Sequence, residues 1–79
     1  MSESTHQAKI IKRLKSDGWF VIKIIQASPN GLPDLIALKP NEVKFIEVKG
    51  KKTVVSELQK YRIKELLKLG FDATINREQ

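Results

Sequence analysis

No cysteine occurs in the 79 residues of this chain. Disulfides are therefore excluded, and with them every zinc site that needs a thiolate. Histidine occurs once, as His6, so a histidine-rich metal centre is out of reach. Any divalent ion must be held by oxygen ligands, which favours magnesium, manganese or calcium. No apolar run approaches the length of a membrane span. The N-terminus, MSESTHQAK, lacks the apolar stretch of a secretory signal. These absences lead to the expectation of a soluble, cytoplasmic protein. Acidic residues are also scarce: nine stand against fifteen Lys and Arg, giving +6. That excess suits a partner carrying phosphates, although a plain solubilising surface has the same composition. The length allows one small domain over residues 1–79. Its core is modest, and such chains often need a partner.

What is present falls into an alternating order of elements. Residues 3–17 read as a helix, with Ile10, Ile11 and Leu14 on its apolar face and Ser2 or Ser4 as cap. Gly18 is placed to end it in a left-handed turn. Residues 19–26, WFVIKIIQ, are β-branched and aromatic and read as a strand. A Pro- and Gly-rich loop over 28–33 leads to a second strand at 34–38. A tight turn at 39–42 leads to a third strand at 43–49, forming a hairpin. A basic loop over 50–55 precedes a second helix at 56–69, opened by Ser56-Glu57-Leu58-Gln59 in the capping-box pattern. Ile63, Leu66 and Leu67 are its expected core face, and Gly70 its end. Residues 71–75 make a last strand. The fold class expected is α/β, a small mixed four-stranded sheet with flanking helices in the order αβββαβ.

The third strand carries the chemistry. Alternation sets Phe45, Glu47 and Lys49 on one face. Holding a carboxylate and an ammonium on a covered face costs desolvation energy. A structural ion pair or an exposed strand end is one reading. Asp34 opens the other. Counting outward from the turn at 39–42 sets Asp34 opposite Glu47, with Cβ atoms roughly 4.5–5.5 Å apart. Two carboxylates that close repel unless a cation lies between them, and an oxygen-ligated divalent metal meets that need. Lys49, just beyond, can reach a phosphate or a water. A turn-capping role is the alternative for Asp34. On the first helix, Glu3 and Gln7 continue the stripe of Ile10 and Leu14, which aims Glu3 towards the sheet edge. It can equally be a first-turn acid favoured by the helix dipole. Gln59 completes the capping box and also shares a stripe with Ile63 and Leu66. Lys51, Lys52, Lys60 and Arg62 form basic surface that can track a phosphate backbone.

Gly31-x-Pro33-Asp34, twelve residues, and then Glu47-Val48-Lys49 resembles the PD-(D/E)XK nuclease superfamily, and most of all its virus-type replication-repair nuclease (VRR-NUC) domain in stand-alone form. The whole chain takes part in the resemblance, from the early helix with Glu3 and Gln7 to Leu69-Gly70-Phe71. The bare D…ExK pattern is common by chance. The combination of G-x-PD-L-I-A with I-E-V-K, in this order of elements, is specific. The resemblance implies a restriction-endonuclease-like core and a magnesium- or manganese-dependent endonuclease cutting branched DNA such as four-way (Holliday) junctions. It implies that Asp34, Glu47 and the Val48 carbonyl ligate metal, with Glu3 assisting either as an outer ligand or in positioning a second metal. It implies that Lys49 orients or deprotonates the attacking water and that Gln59 supports the site. A bacterial or phage-infected cell suits it as a source. Two rival classes stand beside it: a basic DNA-binding module without catalysis, and a small structural or antitoxin-like interaction protein. A homodimer is expected from the small core, with Trp19, Phe20 and Phe71 in the interface.

Overall fold

The computed structural model describes residues 3–78, with the backbone alone for Glu3 and Ser4. Helix α1 spans Glu3–Ser16 and leads into β1 (Phe20–Lys23), β2 (Leu35–Lys39) and β3 (Glu42–Lys49). Helix α2 (Glu57–Lys68) and β4 (Asp72–Arg77) complete the chain. The order is αβββαβ, as the sequence pattern predicts. The proposed caps Ser2 and Ser4 lie outside the described side chains.

Both helices end in the same way. In α1 the Trp19 amide donates to the Leu14 carbonyl and the Gly18 amide to Lys15. In α2 the Phe71 amide donates to Leu66 and the Gly70 amide to Leu67. These are paired Schellman bonds, and they require a left-handed residue at the turn. Gly18 and Gly70 supply it, at φ 88° and 93°. The start of α2 is fixed by a capping box in which the Ser56 hydroxyl accepts from the Gln59 amide while the Gln59 side chain accepts from the Ser56 amide.

The sheet order is β1-β2-β3-β4. The first three strands are antiparallel neighbours, while β4 runs parallel to β3. A parallel neighbour needs a crossover connection, and α2 provides it. The β2–β3 hairpin closes through Pro40 and Asn41, with Asn41 at φ 62°. Its register pairs Lys39 with Glu42 and Leu35 with Ile46. One step further out lies Asp34 beside Glu47, as counting from the turn predicts.

Alternation then divides the side chains between two faces. Helix α1 covers the face carrying Leu35, Ile46 and Val48, which join Ile10 in the buried cluster, flanked by Ile11, Leu14 and Val21. Trp19 seals the lower end of that face at 6 % exposure. Its ring lies under the Lys39 and Lys44 ammonium groups at 4.5 and 4.8 Å, and its Nε1 donates to Asp17. Trp19 is therefore core, and the expectation that it serves an interface is corrected. Helix α2 lies over the face of Asp34 and Glu47. It buries Ile63, but Leu67 is exposed and is not part of the core.

Strand β1 is shorter than the apolar run suggests. The strand ends at Lys23, and the Ile24 amide adds one last bond in the same register, to the Asp34 carbonyl at 2.8 Å. Residues 24–34 instead form a loop that returns over α2. Gly31 makes the close approach there, at φ 84°, and a Cβ would lie 2.6 Å from Leu58 Cγ. Gly31→Ala should therefore destabilise the fold by about 2 kcal/mol through left-handed strain and crowding. For a domain of this size that lowers the melting temperature by roughly 10 °C. A thermal melt matching wild type would show that the loop relaxes freely.

Candidate active site

The end of β3 is the part of the sheet covered on both faces. Residues 46–49 are all buried, although two of them are ionisable. Glu47 is 2 % exposed and Lys49 is 8 % exposed. Their side chains meet at 3.5 Å, from Lys49 Nζ to Glu47 Oε2. The same Oε2 accepts a hydrogen bond from Gln59 Nε2 at 3.1 Å. Gln59 thus uses its oxygen to cap α2 and its nitrogen to hold Glu47. The two roles read from the sequence coexist in one side chain, because an amide is both acceptor and donor.

The other carboxylate oxygen, Glu47 Oε1, is buried and has no hydrogen-bond partner among the described residues. A buried unpartnered anionic oxygen is costly. Burial is the largest reason that the Glu47 carboxyl is pushed up from 4.5 to about 7, and the neighbouring Asp34 carboxylate is the second. Lys49 opposes both and lowers it. The site thus places two carboxyl groups together and offers one ammonium in partial compensation.

Asp34 stands on the last loop residue before β2. Its Oδ2 accepts from the Val48 amide at 3.0 Å. In a strand the amide and carbonyl of one residue point to the same side. The Val48 carbonyl therefore opens towards β2, the side from which Asp34 approaches. Asp34, Glu47, Lys49 and Gln59 come together, with Val48 supplying main chain. Glu3 is helical, but its side chain lies outside the described residues. A cleft of about 270 Å³ opens beside Asp34, walled by the β1–β2 loop with Gln26, Asn30 and Gly31.

These residues fit a hard divalent ion. The unpartnered Glu47 Oε1, the adjoining Asp34 carboxylate and the Val48 carbonyl are all oxygen donors, the type such ions require. Among the described residues no group of three or more carboxylate or imidazole side chains gathers. Among the described residues the third oxygen donor is the Val48 main-chain carbonyl.

The predicted basic residues divide. Lys51 and Lys52 are exposed on the loop after β3. Lys60 pairs with Glu57 at 3.3 Å. Arg62 is internally occupied: Nε donates to the Asn30 carbonyl at 2.9 Å and Nη1 to Glu65 at 3.1 Å. It anchors the cleft loop to α2. The sequence reading missed this, since nothing in local pattern links position 62 to position 30.

A carboxylate pair at the mouth of a hairpin, followed two residues later by lysine, is the geometry on which the family assignment turns. The model of the VRR-NUC domain matches residues 1–77. The chain belongs to the VRR-NUC domain family. Among solved structures, this VRR-NUC chain resembles Hjc of Archaeoglobus fulgidus, a Holliday junction resolvase from an archaeal hyperthermophile. The TM-score is 0.68 at 23% identity, covering 90% of this chain and 65% of that one. The likeness shows a shared fold, and the chain spans under two thirds of its neighbour's length. No curated protein matches it in sequence. No helix among the described residues is long and apolar enough to cross a membrane.

Proposed function

We propose that this VRR-NUC domain is a magnesium- or manganese-dependent DNA endonuclease acting in the cytoplasm on branched DNA, four-way junctions included. The buried Glu47 carboxylate with a free oxygen, facing Asp34 and Lys49, is the observation that carries the reading. Asp34, Glu47 and the Val48 carbonyl would hold the ion. When bound, it polarises a phosphoryl oxygen and lowers the pKa of a coordinated water. Lys49 orients that water and balances charge developing on the phosphate. Gln59 fixes the Glu47 carboxylate, and Lys51 and Lys52 contact the backbone nearby. A basic binding module without catalysis gains nothing from a buried carboxylate beside a second one facing a phosphate.

The working unit in this reading is a homodimer. Phe20 and Ile22 pair with Leu38 and Ile36 on the Glu47 face, beyond the reach of α2. Phe20 is 66 % exposed. A two-fold pair places two identical sites on the matched strands of a pseudo-symmetric junction. The resolvase named for Hjc has the same core.

The test is cleavage of linear, flapped and four-way DNA with magnesium, manganese or EDTA, with mass by light scattering alongside. Paired symmetric nicks on four-way DNA that vanish in EDTA are expected, from a particle of twice the 9.0 kDa chain mass. Metal-independent cleavage overturns the mechanism. Equal activity on plain duplex overturns the branched substrate, and a monomer overturns the dimer.

A further inference from the structure

Helix α2 is a poor rail for DNA, since Arg62 and Lys60 are already engaged with Asn30, Glu65 and Glu57. The opposite edge of the sheet differs. There, between α1 and the edge strand β4, lies a notch of about 330 Å³ lined by His6, Arg13, Asn76 and Arg77. Among the described residues no carboxylate lines it. His6 and Asn76 are joined at 3.2 Å from Nε2 to Oδ1. The amide oxygen can only accept, so His6 Nε2 carries the proton and the Asn76 amide nitrogen is left as a donor. The Arg13 side chain is exposed and makes no hydrogen bond or ion pair among the described residues. His6, Lys9 and Arg13 fall on one stripe of α1 by the i+3, i+4 rule.

Arg77 joins this notch to the candidate active site. Its Nη1 donates to the Gly50 carbonyl at 3.0 Å and to the Thr53 carbonyl at 2.6 Å. Those two carbonyls bracket Lys51 and Lys52. The Glu78 amide adds a bond to the Lys49 carbonyl at 2.9 Å. The basic loop is thus tied to the end of β4, and Arg77 pairs with Lys49 in the sheet register. Basic groups continue from Lys49 through Lys51 and Lys52 to Arg77, and on to His6 and Arg13. From Asp34, at the entry to β2, to β4 is two strand spacings, about 10 Å. That is about three nucleotide rises along one strand.

We propose that the notch of His6, Arg13, Asn76 and Arg77 binds a phosphate group, and that a DNA arm leaving the active site follows the α1–β4 edge and places a backbone phosphate there. The DNA part rests on the nuclease reading above; the phosphate site does not. Guanidinium groups and an oriented amide suit a phosphate's oxygens, and such contacts fix the register of the duplex without reading sequence. Arg77 acts as a positioning residue for the Lys51–Lys52 loop as well as a lining group.

The experiment uses the full chain without divalent metal. Binding of labelled duplex and four-way DNA is followed by fluorescence anisotropy across a sodium chloride series. Arg13→Gln should weaken binding severalfold for both DNAs and reduce the salt slope by about one. Lys60→Gln should leave the slope unchanged. In parallel, inorganic phosphate is titrated while the His6 ring and Asn76 amide signals are followed by nuclear magnetic resonance. Saturating shifts in wild type that disappear in Arg13→Gln are expected. A slope reduced by Lys60→Gln and not by Arg13→Gln overturns the DNA path. Absent phosphate shifts, together with an unchanged slope in Arg13→Gln, overturn the site and leave the nuclease reading standing. Phosphate shifts in a protein that binds no DNA keep the site and remove the nuclease reading.

Discussion

Asp34→Asn, Glu47→Gln and Lys49→Ala should each reduce metal-dependent cleavage by about a hundredfold to ten-thousandfold, with the fold retained. Asp34 and Glu47 lose their role as anionic donors when converted to amides, while their size and shape persist. Lys49→Ala leaves both carboxylates in place and removes the ammonium 3.5 Å from Glu47 Oε2. Its loss should therefore fall on turnover rather than on metal binding. Gln59→Glu separates the two duties of that residue. A carboxylate still accepts from the Ser56 amide, so the cap survives. It cannot donate to Glu47 Oε2, so the support is lost and metal affinity should fall about tenfold to a hundredfold. Rates would be measured on four-way DNA, with circular dichroism confirming each fold. Wild-type cleavage in Asp34→Asn and Glu47→Gln would remove these residues from the site.

A manganese or magnesium titration should raise the melting temperature, and by more at pH 8 than at pH 5. The Glu47 carboxyl rises from 4.5 to about 7 in the fold. A group whose pKa is raised on folding supports the fold fully below its unfolded value. That support is lost as pH climbs through the folded value. The metal-free protein should therefore lose stability between pH 4.5 and about 7, by about 3 kcal/mol in total. Metal ligation needs the deprotonated carboxylate, so affinity should grow about tenfold per pH unit over the same window. Glu47→Gln removes the titrating charge. It should melt several degrees above wild type at pH 8 without metal, match it at pH 5, and gain little from manganese. Differential scanning calorimetry across pH would decide. A wild-type melt indifferent to metal at pH 8, or a Glu47→Gln variant less stable there, would show that the carboxylate is satisfied without a cation.

The dimer proposed above, through the open sheet face, fits the same physical picture. The small α2 covers the acidic end of its face and leaves Phe20 and Ile22 beyond it. An aqueous monomer exposes them at a cost that a second copy can relieve.

The sequence by itself determined nearly all the local structure. Glycine after each helix, a capping box before the second and a tight turn at Asn41 are signals within a few residues, because helix ends and turns are satisfied by near neighbours. Alternation together with the turn position was enough to place Asp34 beside Glu47, since a hairpin's register follows from its loop. Tertiary structure decided what depends on distant partners. Whether Trp19 is core or surface was settled by Lys39 and Lys44 closing over its ring. The shortness of β1 followed from the residues after Ile24 leaving the sheet for a loop that Arg62 ties to α2. Arg62 passed from the DNA-facing set to a loop anchor because residue 30 lies within reach of residue 62 only after α2 crosses over the sheet. The basic notch joins the first helix to the last strand, seventy positions apart between His6 and Asn76. Periodicity reports which face a residue occupies. It carries no record of which other face comes to meet it, and that is where charge is paired, buried or left free.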